Sequence, residues 1–274
     1  MTWQQPSRTC SRLPRPPDPP PGGPVSTPIP RETSGLITRA AFWRSLLFAA
    51  GAYASVLVFG PLALLTFLLP LRARFGFVSQ WARFSLWWLE KTCHLGFEVE
   101  GRENIPATAA VVMCKHQSAW ETLALQTVFR PQTWVLKREL LWVPLFGWGL
   151  AALAPIAIDR RAGRRAMDQV VRQGADRLAR GIWVVVFPEG TRVAPGERGR
   201  YRIGGAVLAE HTGSPVVPVA HNAGEYWPRR GFVKRPGTIR MVIGPPIPAS
   251  GRAAAEILAD VQDWIEGTMP RIST

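Results

Sequence analysis

Residues 45–71 carry no charged side chain, and this run limits the folds open to the chain more than any other feature. A helix of roughly 20 apolar residues crosses a bilayer core. The run is therefore either a membrane-embedded helix or the core helix of a soluble protein. Its flanks are basic on both sides, with Arg39 and Arg44 before it and Arg72, Arg74 and Arg83 after it. Basic residues at both ends give no orientation by the positive-inside rule. Gly60-Pro61 sits inside the run, where proline removes a backbone donor and favours a kink. A bent helix that dips into one leaflet, with both ends on the cytoplasmic side, is one arrangement that reconciles these features; a helix that crosses the bilayer is the other. Residues 77–97 place aromatic and aliphatic side chains at 81, 84, 88 and 95 among Arg83, Glu90 and Lys91. They read as an interfacial helix.

The regions on either side differ in kind. Residues 1–35 are rich in Pro, Arg, Ser and Thr and cannot bury enough apolar surface to offset their ordering entropy, so they read as a disordered tail. Residues 36–96 form the membrane-anchoring helices, and residues 97–270 the catalytic domain. In that domain short β-branched runs alternate with helical patterns. Strands are expected at 110–114, 133–136, 155–158, 182–187, 215–220 and 238–243, and helices at 119–129, 163–180, 202–211 and 252–266. Such alternation predicts an α/β fold, with a mixed, largely parallel sheet flanked by helices. The net charge of +14 suits nucleic acid, an anionic membrane face or an anionic small substrate. Twelve Trp residues favour the membrane, since Trp collects at the headgroup interface. The three cysteines, Cys10, Cys93 and Cys114, fit neither a disulfide framework nor a zinc site.

Four stretches carry chemistry. In the first, VVMC (111–114) is followed at once by Lys115, His116 and a helix start through Glu121. Side chains at the C-terminal ends of strands in open α/β sheets face the ligand crevice. His116 and Glu121 are five residues apart, about 140° around one helix. They meet only if His116 precedes the helix and Glu121 lies in its first turn. There a carboxylate accepts Nδ1–H and leaves Nε2 to take a proton from an attacking hydroxyl. The same residues read as a capping box, Ser118-x-x-Glu121, in which the acid merely caps a helix. In the second stretch, an apolar strand runs into Phe187-Pro188-Glu189-Gly190-Thr191-Arg192. Gly190 supplies backbone freedom, and Arg192 a planar fork suited to phosphate oxygens. Glu189 holds either Arg192 or a substrate hydroxyl; a plain surface turn is the alternative. The third is basic. Lys137-Arg138 and Arg160-Arg161 each follow a strand and converge with Arg192 on one edge if the sheet is parallel. The fourth, Val217-Pro218-Val219, is an apolar strand ending near His221 and reads equally as core.

Together these stretches resemble the glycerolipid acyltransferase family, most closely the bacterial 1-acyl-sn-glycerol-3-phosphate acyltransferases, over roughly residues 95–250. His116 and Glu121 match its first motif. The stretch from Val143-Pro144-Leu145-Phe146-Gly147 to Ile158-Asp159-Arg160 resembles the second, and residues 187–192 match the third. Val217-Pro218-Val219 is similar to the fourth. Two positions depart: Glu121 stands where the family more often has Asp, and Val193 where Ser is usual. The resemblance implies acyl transfer from acyl-CoA or acyl-carrier protein to the sn-2 hydroxyl of 1-acyl-glycerol-3-phosphate, giving phosphatidate. It implies His116 as base and Glu121 as orienter. Arg192, Arg160 and Lys137 are expected on the phosphate, with Glu189, Gly190 and Thr191 shaping that site. Pro218 is expected in an acyl-donor or structural motif. No metal and no cofactor beyond the thioester co-substrate is called for. The expected partners are membrane lipids, the lysophosphatidate-type acceptor and the acyl donor, with no nucleic acid. The expected location is the cytoplasmic face of a bacterial inner membrane. Another lysolipid acceptor, or a non-catalytic basic lipid-binding protein, are the rival expectations.

Overall fold

The computed structural model describes residues 31–273, with the side chains of 31–38 and of Arg160 outside the description. Of the tail expected at residues 1–35, residues 1–30 lie outside the described residues. The first helix, α1 (Arg31–Leu65), begins inside the expected tail and runs through Pro61. The chain reverses after Leu65, not at the proline. A 3-10 turn, Thr66–Leu68, and Pro70 lead into α2 (Leu71–Cys93). The two helices pack against each other as a hairpin. Trp81 Nε1 donates to Ser55 Oγ at 3.0 Å, and Trp88 Nε1 to Leu47 O at 3.3 Å. Arg74 caps the turn by donating to the carbonyls of Leu69 and Phe67 at 2.7 and 2.6 Å, which satisfies acceptors that a helix end leaves unpaired.

The rest alternates strand and helix. In order it comprises β1 (Leu95–Glu100), β2 (Val111–Cys114), α3 (Trp120–Val128), β3 (Gln132–Lys137), α4 (Phe146–Ala152), β4 (Ile156–Ile158), α5 (Arg164–Ala179), β5 (Trp183–Val186), α6 (Gly204–Thr212), β6 (Val216–His221), α7 (Ala223–Tyr226), β7 (Gly237–Ile243) and α8 (Ala254–Ile272). The sheet order is β1-β7-β6-β2-β5-β3-β4. Strands β6, β2, β5, β3 and β4 run parallel, while β7 is antiparallel to β6 and parallel to β1. The expected mixed, largely parallel sheet flanked by helices is what forms.

Successive strand residues point to opposite faces, and this pleat sorts the core into two layers. Val112, Cys114, Val185, Val217 and Val219 face the α2–α3 side together with Leu89, Trp120 and Leu125. Val111, Met113, Val184, Val186 and Val216 face α5, α6 and α8, where Val170, Leu208, Ile257 and Val261 close the layer. Both faces are covered, which is why the central strands read as continuous apolar runs. Five parallel strands put their C-terminal ends on one edge. His116 follows β2, Lys137 ends β3, Arg160 follows β4 and Arg192 follows β5.

Candidate active site

His116 leaves β2 just before α3 begins, and Glu121 occupies the first turn of that helix. The imidazole Nδ1 lies 2.6 Å from Glu121 Oε1. The same oxygen accepts the backbone N–H groups of Gln117 at 3.1 Å and Ser118 at 2.9 Å. The two readings of Glu121 are thus one arrangement, because the acid caps the helix start and holds the imidazole at once. Half of the expected capping box forms; Ser118 Oγ takes the N–H of Trp120 at 3.2 Å rather than that of Glu121. Glu121 is fully buried. Burial alone would raise its pKa, but the positive charge that His221 and His116 gain on protonation and the hydrogen bonds from His116 and the backbone outweigh burial and hold the carboxyl below its ordinary value. An ionised acceptor requires the proton on Nδ1, so the Nε2 lone pair is free to take a proton.

The turn after β5 clamps the backbone of His116. Glu189 Oε2 accepts the His116 N–H at 2.9 Å, and the Val193 N–H donates to His116 O at 2.8 Å. The ring of Phe187 stacks on the imidazole at 4.1 Å and 18°. Gly190 has φ +65°, and a Cβ there would meet Arg202 Nε at 2.9 Å. The left-handed backbone favours glycine here, while the flexible Arg202 side chain could move aside from a Cβ.

Beneath the imidazole lies a buried charge cluster. Lys115 Nζ sits 3.1 Å from Glu189 Oε1 and 2.7 Å from Glu266 Oε1, and Tyr201 Oη donates to Glu266 Oε1 at 2.9 Å. Glu189 is thus turned into the protein, and neither Arg192 nor the cavity receives its carboxylate. On the other side, His221 Nδ1 accepts the Ala223 N–H at 3.2 Å, which leaves its proton on Nε2 to donate to Lys115 O at 2.8 Å. With Nδ1 accepting, the ring carries one proton and is neutral, and burial lowers the His221 pKa against the pull of Glu121. The peptide that carries His116 is held from both sides.

His116 and Arg192 open into a cavity of about 430 Å³ between α1, α2, α3 and α4. Its walls are Phe48, Ala52, Val56, Trp81, Leu123 and Phe146 together with similar side chains, an apolar channel with a polar end. Lys137 lines it too, exposed and paired with Glu139 at 3.3 Å. Arg192 is half-buried, and among the described residues no carboxylate pairs with it. Thr191 is exposed. The backbone of Arg160 starts a 3-10 turn on the same edge, while its side chain lies outside the described residues. Pro218 stands apart from the cavity, packed in β6 opposite Met113, with its carbonyl accepting Gly244 N–H at 2.9 Å.

Residues 96–222 match the family model described as Acyltransferase. A 1-acyl-sn-glycerol-3-phosphate acyltransferase of Pseudomonas aeruginosa is 48% identical over 235 residues, covering 84% of this chain and 91% of the relative. The chain belongs to the acyltransferase family. A chloroplastic acyltransferase of the same name from Brassica napus is 28% identical over 66% of this chain and 51% of its own length. The crystal structure of a 1-acyl-sn-glycerophosphate acyltransferase from Thermotoga maritima superposes with a TM-score of 0.70 at 21% identity, covering 86% of this chain and 98% of that one. That likeness establishes a shared fold. The matched family region begins at β1 and ends just after β6, so it holds His116, Glu121, Lys137, Arg160 and residues 187–192. Several neighbours of the site escape sequence reasoning: Phe187 as a ring stack, the Lys115–Glu189–Glu266 cluster, and Lys234 in the cavity wall. Lys115 did carry a signal, because a lysine between a buried strand and His116 must find a carboxylate.

Proposed function

We propose that this acyltransferase moves a fatty acyl group from a thioester donor, acyl-CoA or acyl-carrier protein, to the sn-2 hydroxyl of 1-acyl-glycerol-3-phosphate. The observation that carries this reading is the 2.6 Å His116–Glu121 pair at the end of an apolar cavity whose charged lining is entirely cationic. His116 Nε2 takes the hydroxyl proton as the oxygen attacks the thioester carbonyl carbon. Glu121 holds the tautomer and steadies the imidazolium. The C–S bond then breaks, the thiolate takes the proton back from Nε2, and phosphatidate and free thiol leave. Arg192, Arg160 and Lys137 bind the acceptor phosphate. Gly190 and Thr191 shape the turn that presents Arg192, and Glu189 supports that turn from beneath.

The membrane supplies the acceptor. Residues Arg39–Leu68 are long and apolar enough to cross a bilayer, and α1 exposes Tyr53, Leu57, Val58 and Leu65. In this reading that face lies in the cytoplasmic leaflet and the cavity opens where a lysolipid resides. The test is an acceptor panel with radiolabelled oleoyl-CoA and protein in mixed micelles. Lysophosphatidate should be acylated to phosphatidate well ahead of lysophosphatidylcholine and monoacylglycerol. His116→Ala should lose about 10²–10⁴-fold in kcat with an unchanged melting transition. A folded His116→Ala protein of full activity, or a phosphate-free acceptor preferred over lysophosphatidate, would overturn the reading.

A further inference from the structure

The cavity is lined by three side chains of positive charge, Lys137, Arg192 and Lys234, and by no Asp or Glu. Lys234 is the unusual one. Only 6% of it is exposed, and lysine is almost never buried to that degree without a charged partner. Its Nζ donates to Phe232 O at 2.8 Å, which uses one of the three donors of an ammonium. Among the described residues no carboxylate lies within ion-pair distance of it. Three rings surround it instead, with centroids at 5.2 Å for Phe48, 4.9 Å for Trp227 and 5.1 Å for Phe232. Ring faces attract a cation but offer no lone pair for its remaining N–H groups.

The cage is held in place from several sides. Lys234 N donates to Ser45 Oγ at 2.8 Å, which ties the segment before β7 to α1. Phe48 and Trp227 meet edge to face at 5.4 Å, and both line the cavity. From the same segment Arg229 Nη1 donates to Arg192 O at 2.8 Å. One segment thus braces the turn that carries Arg192 and presents a second, caged cation to the same cavity. A methionine would fill such a cage without the cost of desolvating a charge. The charge needs a reason, and an anion entering the cavity supplies one.

We infer that Lys234 is an anion-binding residue of this site, whose caged ammonium donates to an oxygen of a phosphate-class group on a bound substrate. The inference deepens the proposed acyl transfer and rests on it. The group belongs either to the acceptor headgroup or to the phosphates of the thioester donor. Burial lowers the Lys234 pKa, and a bound phosphate would oppose that shift.

The experiment compares the full-length protein with its Lys234→Met and Lys234→Arg variants in mixed micelles. One arm measures KM for 1-oleoyl-glycerol-3-phosphate against 1-oleoylglycerol. The other measures KM for oleoyl-CoA against the phosphate-free oleoyl thioester of N-acetylcysteamine. Lys234→Met should raise KM for one phosphate-bearing substrate by about 10-fold or more. Its phosphate-free analogue should stay within about threefold, and Lys234→Arg should recover most of the loss. The arm that moves identifies the source of the phosphate. If neither KM moves, or each analogue rises together with its phosphate-bearing counterpart, Lys234 only packs and the inference fails. Should Lys234→Met unfold, Lys234→Gln carries the same comparison. Calorimetric binding of glycerol 3-phosphate and of CoA to the same proteins needs no turnover. It therefore separates failure at Lys234 from failure of the proposed reaction.

Discussion

At the scale of single residues, the site is a set of shared oxygens. Glu121 serves the imidazole and two backbone N–H groups, and Glu189 serves Lys115 and the His116 N–H. His221 completes the frame as a neutral ring whose one proton goes to Lys115 O. It is a positioning residue, and its titration has a definite sign. Burial holds its folded pKa below the ordinary 6.5, so on acidification the unfolded chain takes up this proton first. Protons then favour the unfolded state, and stability falls as pH drops below about 6.5. His221→Gln keeps a donor for Lys115 O and has no such titration. The stability gap between wild type and His221→Gln should be constant above about pH 7.5 and shift against the wild type between about 6.5 and 5.5. The limiting slope is about 1.4 kcal/mol per pH unit. Chemical unfolding in detergent at a series of pH values measures it; a gap flat across that window would mean the buried ring is already charged.

At the scale of elements, α1 is a wall of the cavity. It contributes Phe48, Ala52 and Val56 to the cavity, and its contact with α2 depends on Gly51. A Cβ on Gly51 would lie 2.1 Å from Trp88 Nε1 and 2.6 Å from Trp88 Cε2. Gly51→Leu should therefore push the hairpin apart, at a cost of about 1–3 kcal/mol for overpacking. It should lower kcat/KM although His116 is untouched, and shift the indole fluorescence toward that of solvated Trp. Unchanged activity and emission would show that the hairpin gives way without disturbing the cavity. Elements such as this differ in how far they are legible beforehand. His116–Glu121 could be read because both partners lie in one turn of chain, and the central strands because burial on both faces leaves them apolar throughout. Strand β1, LGFEVE, was missed because it follows α2 with no break and is half-polar, and its partner β7 lies some 140 residues on. Helix α4 was missed because Pro144, Gly147 and Gly149 argue against a helix that packing against α1 and α2 supplies. Lys115–Glu266, 151 residues apart, and the Lys234 cage are tertiary coincidences that no local pattern encodes.

At the scale of the whole molecule, the packing of α1 bears on how the protein meets the bilayer. Ser45 bonds to Lys234, Phe48 packs on Trp227, Ser55 meets Trp81, and Gly60 lies against Leu145. These contacts run from residue 45 to residue 60, about 24 Å of helix at 1.5 Å per residue. A helix fixed to its own domain over that length cannot also stand alone across a hydrocarbon core about 30 Å thick. The turn at residues 66–70 leads back as well, since Arg72 Nη2 comes within 3.6 Å of where a Cβ on Gly181 would sit, just before β5. Tyr53, Leu57, Leu65 and Leu68, the last 90% exposed, are exposed apolar side chains of the hairpin, and Trp142, Val143 and Phe146 of the catalytic domain are exposed as well. Single-leaflet immersion is the arrangement we propose from this packing. It predicts that cysteines replacing Arg39 and Arg72 label from one side. With Cys10 replaced and Cys93 and Cys114 buried, a membrane-impermeant maleimide should modify both positions in inside-out vesicles and neither in intact spheroplasts. A crossing helix puts the two positions on opposite sides, because there is then a single passage between residues 39 and 72; labelling of either position in intact spheroplasts would sink the one-leaflet arrangement while leaving the chemistry at His116 intact.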